Sequence, residues 1–158
     1  MFREVARKKQ VLSKEECETL LCSSLRGVLS VLGDDDYPYG IPLNHYYCSE
    51  SNRLYFHSGK VGYKIDCMKN HDKASFCVYD EGTPIENDWA LVFKSVIVFG
   101  RIVFVEEEAE IRRVARLLSL KFNDDEDFIQ EDIEKYIRAT AMFYLQIEHI
   151  TGKSVTEK

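Results

Sequence analysis

Residues 57–64, HSGKVGYK, gather the groups best suited to chemistry in this 158-residue chain. The segment leaves an apolar, strand-like run at His57, carries Gly59 and Gly62, and enters a helix-like stretch bearing Lys64. A phosphate group needs uncovered backbone N–H donors, a hydroxyl and a cation. The glycines, Ser58 and Lys64 supply these, and a helix N-terminus adds partial positive charge. The spacing is not that of a P-loop, which needs GxxxxGK followed by Ser or Thr. The same residues also make an ordinary strand-to-helix turn, and spacing alone leaves both readings open.

Two other segments carry polar groups in strand-like surroundings. In residues 42–45, PLNH, Pro42 cannot donate to a sheet ladder, so it marks an edge, a bulge or the end of pairing. Main-chain groups released there could hydrogen-bond the rim of a planar heterocycle, while Asn44 and His45 also read as outward-facing strand residues. In residues 93–96, FKSV, a Lys-Ser pair interrupts an apolar run. Burying either group without a partner costs on the order of 1–3 kcal/mol, so the pair implies a ligand or a bulge facing the surface. His45, His57 and His71 form no HxH or HxxxH pair, which argues against a transition-metal site, and no nucleophilic triad has a signature.

The elements around these segments read as follows. Ser13 and Glu16 form a capping box, with Leu12 and Cys17 at staple spacing, and predict a helix over 13–24. Strands follow at 27–32 and 39–48, then a polar turn at 49–52 and a strand at 53–57 that closes a hairpin. A short helix begins near Val61, a strand covers 74–79, and 81–88 is a loop. Residues 91–105, LVFKSVIVFGRIVFV, are apolar on both faces from Val96 onward, so that strand needs cover on its outer face from a helix or a second subunit. Helices at 107–122 and 127–140 and a closing strand at 142–150 complete the chain. Long antiparallel strands with few helices predict a mainly β, six-stranded barrel with helices packed outside, as one domain over residues 1–158.

Composition narrows the function classes. Apolar residues make up 45% of the chain and charged residues 30%, as in ordinary globular proteins. No apolar run is long enough for a membrane span and no signal peptide is legible, so a cytoplasmic protein without membrane contact is expected. The net charge of −6 with scattered basic residues argues against nucleic acid. Five cysteines without CxxC spacing read as buried or half-buried free thiols.

Taken in order, PYGIPLNHYY, LYFHSGKVGYK, FKSVIVFGRI and IEHITGK resemble the FMN-binding split barrels related to pyridoxamine 5′-phosphate oxidase, and within them the nitroimidazole-resistance proteins. The resemblance runs from about Leu12 to Lys153. It implies a six-stranded antiparallel split barrel that forms a homodimer with flavin sites at the subunit interface. Leu43, Asn44 and His45 would line the flavin ring, and His57, Ser58, Gly62 and Lys64 would surround the ribityl and phosphate. Ser95 and Val96 would approach from the other subunit, and His57 would be the candidate proton donor. No role is implied for residues 150–153. FMN is the expected cofactor, with FAD admissible because an adenosine extension could project from an open groove. Full-length pyridoxamine phosphate oxidases carry further basic residues for substrate phosphate and a C-terminal extension not seen here, so vitamin B6 oxidation is not implied. The expected function is an oxidoreductase passing electrons to nitro compounds or another small-molecule acceptor. The alternatives are a flavin store or redox sensor without turnover, and a haem-handling split barrel, for which no residue argues.

Overall fold

The computed structural model describes residues 2–158. Its first long element, α1 (Lys14–Ser23), starts at the expected capping box: Ser13 Oγ accepts from the Glu16 N–H at 3.2 Å, and Glu16 Oε2 accepts from the Ser13 N–H at 2.9 Å. Two otherwise orphaned donors are thereby satisfied. The apolar face of α1 buries Cys17, Leu20 and Leu21 in the main core, so the helix plugs one end of the barrel.

The sheet is antiparallel throughout. Its strands are β1 (Arg26–Leu32), β2 (Pro38–Asn44), β3 (Tyr46–Cys48), β4 (Arg53–Gly59), β5 (Lys73–Tyr79), the two-residue β6 (Thr83–Pro84), β7 (Leu91–Val105) and β8 (Thr140–Thr156). Their order is β2-β1-β5-β7-β8-β4-β3, with β6 beside β7. The two strands at the ends of this order, β2 and β3, are consecutive in the chain and separated only by His45. The sheet therefore curls until one covalent step joins its edges, which makes a mainly β split barrel with flanking helices. Pro42 lies in the edge strand β2, where a missing N–H costs no ladder bond on the open side. Leu29, Val31, Leu54, Phe56, Phe76, Val96, Val98, Phe143 and Leu145 fill the interior.

The long strands β7 and β8 pair from Val92↔Thr156 to Val105↔Met142, with a bulge at Phe99/Gly100. There a Cβ on Gly100 would overlap the Gln146 carbonyl oxygen and lie 2.9 Å from its carbon, so only glycine lets the strands meet. The bulge bends the pair and helps the sheet to curl. Outside, Phe2 stacks on His149 at 4.8 Å and lies 5.4 Å from Phe99. Ile97 and Val103 stay 38% and 39% exposed, so the cover expected for the outer face of β7 reaches only its end, where Val105 packs into the cluster of Val114 and Leu118.

After β7 come α3 (Glu108–Ser119) and α4 (Glu126–Tyr136). Val114 and Leu118 of α3 pack on Tyr55 and Met142, which point outward from β4 and β8. Tyr55 donates to Glu110 Oε1 at 2.9 Å, and the Arg113 guanidinium beside Glu110 holds that carboxyl down at about 2. Arg112 pairs with Glu134, and Arg116 with Glu126, tying the two helices together. Among the described residues no helix is long and apolar enough to cross a membrane.

Four expectations change. The strand over 39–48 is two strands, because His45 turns the chain from the β1 edge to the β4 edge. The helix over 127–140 ends at Tyr136 and tightens into a 3₁₀ turn, Ile137–Ala139. The closing strand runs on to Thr156, since β7 offers partners along its whole length. Cys22 is exposed, while the other cysteines are buried or half-buried; all five are free thiols.

His45 is completely buried, its Nε2–H donating to the Leu21 carbonyl at 2.8 Å and its Nδ1 without a partner among the described residues. Burial, with the charge of Lys121 adding to it, pushes the imidazole down to about 4. The unfolded chain would protonate it near 6.5, so its contribution is complete above that pH and is lost as pH falls toward 4. Urea unfolding of wild type against His45→Gln should show a pH-dependent difference worth roughly 3 kcal/mol across that window. Parallel stability curves for the two proteins would refute the assignment.

Candidate functional site

The turn from β4 into α2 (Tyr63–Asn70) is built around Gly62, the N-cap, whose φ of 124° no L side chain adopts without strain. No atom lies within 4 Å of where a Cβ would stand on either Gly59 or Gly62. The backbone there faces open space, so neither glycine is required by packing within the chain. Together with the α2 N-terminus this is the donor surface a phosphate would use. Ser58 currently donates its hydroxyl to the Gly59 carbonyl at 2.9 Å, a bond that a rotation of χ1 would exchange for a ligand.

A cleft of about 570 Å³ lies against this turn, outside the barrel. Leu43 and Asn44 enter it from the end of β2, His57, Ser58 and Gly59 from β4, and Lys64 from α2. Its opposite wall comes from α3 and α4: Ile111, Ala115, Leu118 and Ile133, with Phe122 and Tyr136 at the rim. Asn44 is oriented by Arg26, whose Nε donates to Asn44 Oδ1 at 2.9 Å, leaving the amide NH₂ as the end for another partner. His57 presents surface to the cleft, but burial by the surrounding walls lowers its imidazole below the usual value. At neutral pH the ring is therefore uncharged, able to donate from one nitrogen and accept at the other.

The structure thus brings Leu43, Asn44, His57, Ser58 and Lys64 onto one cleft, with Gly62 at the head of the helix beside it. It places the others elsewhere. The His45 ring is inside the barrel against Leu21 and Phe76. Val96 is completely buried in the core. Ser95 is half-buried between Tyr79 and Lys153 on β7. At about 3.3 Å per residue, Ser95 is roughly 33 Å of strand away from the Val105 end of β7, which pairs with Met142 beside the cleft. Ile150 to Lys153 continue β8 opposite Val98 to Ser95, and Val11 bridges Lys153.

Ser119, Phe122, Asp132, Tyr136 and Thr140 also line the cleft, and nothing in the order of motifs points to them. The available signal was weak: Phe122 continues the apolar spacing of the helix expected over 107–122 but lies in the turn after α3, which ends at Ser119, and Tyr136 is on the stripe of α4; they are 47% and 49% exposed. Large apolar groups left uncovered at a helix end mark a surface that awaits a partner or a ligand.

A protein-family model described as pyridoxamine 5′-phosphate oxidase matches residues 13–154. No curated protein matches the chain. Among solved structures, a candidate 5-nitroimidazole antibiotic resistance protein from Bacteroides thetaiotaomicron is similar at TM-score 0.80 and 18% identity, over 92% of this chain and 87% of that one. An FAD-binding protein from Mesorhizobium loti is similar at TM-score 0.65 and 24% identity, over 92% and 97%. An FAD-binding protein from Mycobacterium smegmatis is similar at 0.67 and 19%, over 94% and 99%. At these identities the likeness is one of fold. With nearly all of its length matched by the family model, the chain belongs to the pyridoxamine 5′-phosphate oxidase family.

Proposed function

We propose that the cleft binds FMN and that the protein is a flavin-dependent oxidoreductase acting on nitro compounds or other small electrophiles. The observation carrying this reading is the convergence of Leu43, Asn44, His57, Ser58 and Lys64 on one cleft beside an open glycine turn. The family and the FAD-binding neighbours of the same fold add support.

The residues present suit the cofactor. Lys64 and the α2 N-terminus would hold the phosphate, with Ser58 and the N–H groups around Gly62 completing the cradle. Leu43 and Asn44 would meet the ring at the end of β2, where no further strand covers the main chain. The apolar wall of Ile111, Leu118 and Phe122 would exclude water from the far side of the cleft. Once bound, the flavin supplies electron transfer, and the protein supplies position and electrostatics. His57, neutral at pH 7, is placed to hydrogen-bond the cofactor or substrate. Any proton it gives must come from an uncharged imidazole, which makes it a weak acid at that pH. His45 serves the site through the strand break, and its ring does not enter the cleft.

Ser95 and Val96 belong to this reading only if a second copy of the chain brings its own β7 to the cleft. The exposed Ile97 and Val103 on the outer face of β7 favour such a homodimer. Sedimentation should give a dimer, and Ile97→Asp with Val103→Asp should yield monomers that bind FMN more weakly. Monomers with unchanged FMN affinity would remove Ser95 and Val96 from the site.

Purified protein, alone or after FMN addition, should show bound-flavin absorption in the visible range. Lys64→Ala should weaken FMN affinity about 10- to 100-fold, the loss of one charge-assisted phosphate contact. No flavin uptake would sink the reading, and unchanged affinity in Lys64→Ala would move the phosphate elsewhere.

Turnover separates an enzyme from a flavin store or sensor. Protein reduced with dithionite without oxygen should be reoxidised rapidly by a nitroaromatic. Reoxidation no faster than that of free reduced FMN would favour the store.

A further inference from the structure

The cleft wall opposite Lys64 carries a carboxylate that nothing else in the chain engages. Helices α3 and α4 are rich in acidic residues, and most of these are committed. Glu108 and Glu134 pair with Arg112, Glu110 with Arg113, and Glu126 with Arg116. Asp127, Glu131 and Asp132 of α4 enter no ion pair among the described residues. Of these three, Asp132 alone lines the cleft, and it is the one carboxylate there among the described residues.

Asp132 has aromatic company. Tyr136 lies one turn further along α4 on the same face, and Phe122 lines the same cleft from the turn after α3. The Tyr136 ring already attracts a cation, since the Lys135 ammonium lies 4.9 Å from its centroid. Lys135 itself borders a neighbouring cleft of about 860 Å³, together with Lys60, Lys69 and Arg138, and forms no ion pair with Asp132. Within the first cleft Lys64 is the one lysine or arginine among the described residues, and it stands at the turn suited to phosphate.

A carboxylate flanked by aromatic rings in a largely apolar cleft suits an organic cation. The carboxylate meets the charge, and the rings meet the planar or alkyl body. An anion would be repelled at this wall, and a neutral compound would gain the apolar contact alone. The net charge of −6 acts in the same direction, because a negative field draws cations toward the surface.

We propose that the α3–α4 wall is a substrate subsite for an aromatic organic cation, with Asp132 against the positive charge and Tyr136 and Phe122 against the ring. The substrate class narrows from small electrophiles in general to positively charged ones. The inference rests on the flavin reading for the bound molecule's role as substrate, while the placement of Asp132 stands without it.

Three pyridines of nearly one shape test the subsite: 1-methylnicotinamide, a cation; nicotinamide, which is neutral; and nicotinate, an anion. Each is titrated calorimetrically at low ionic strength into wild type, Asp132→Asn and Glu131→Gln, with and without FMN. Glu131 is exposed on the same helix and lies outside the cleft, so its variant controls for the loss of one negative charge. Asp132 is also exposed and unpaired among the described residues, so thermal melts of all three proteins should coincide. Wild type should bind the cation about tenfold more tightly than the neutral amide, and the anion most weakly. Asp132→Asn should abolish the preference for the cation, and Glu131→Gln should keep it. Failure of wild type to bind the cation, or equal affinity for cation and neutral amide, overturns the proposal. So does a preference that survives Asp132→Asn or is lost equally in Glu131→Gln. Failure of the flavin reading is separately visible as absence of bound-flavin absorption after FMN addition. The titrations without FMN then decide the cation subsite alone.

Discussion

The fold depends on how the chain passes through His45. The sheet has two free edges, β2 and β3, and these are the two halves of one extended segment. For the segment to serve both edges it must leave one ladder and enter the other within a single residue. That residue's polar groups must then be satisfied away from either strand. Its imidazole donates to Leu21 at the end of α1, and its carbonyl accepts from Lys121 Nζ at 2.8 Å. Lys121 also donates to the Ser24 carbonyl at 2.7 Å. One buried crossing thus joins the barrel plug, the closure of the sheet and the C-terminal end of α3.

This constraint also explains where a cleft can form. At His45 the chain leaves the β1 ladder for β4, so the end of β2 stands open beside the end of β4. The outward-facing residues Tyr55 and His57 alternate with the inward-facing Leu54 and Phe56, and α3 covers Tyr55 but stops short of sealing His57. A concavity remains with backbone on one side and apolar helix on the other. Lys121, half-buried and with its charge disfavoured by desolvation, is tolerated because its ammonium satisfies two carbonyls that would otherwise lack donors.

Local chemistry was readable wherever a short segment carries its own instructions. The Ser13 and Glu16 capping box, the turn at Gly62 and the apolar stripes of α3 and α4 involve residues within a few positions of one another. The strand at 91–105 likewise follows from its own run of β-branched and aromatic residues. The break at His45 was not readable, because YGIPLNHYYC has strand propensity on both sides of it and only the competing edges force the turn. The extension of β8 to Thr156 was hidden for a similar reason: residues 151–156 are polar and gain strand structure only from the partner strand β7.

The sequence by itself determined that this is a mainly β protein with a glycine turn and a lysine suited to phosphate, and the order of its motifs carried the family. Tertiary structure alone decided which of the polar residues meet. Asn44 and His45 are neighbours in the chain, yet one faces the cleft and the other is sealed in the barrel, because a single peptide step changes which sheet edge is served. Ser95, read as part of the same site, is separated from it by most of the length of β7. Lys60, Lys69 and Arg138 are unremarkable as sequence, and only folding around α2 and the 3₁₀ turn after α4 gathers their charges. The physical reason is one of range: caps, turns and alternation act over a few residues, whereas charges and clefts are assembled by contacts between strands and helices distant in the chain.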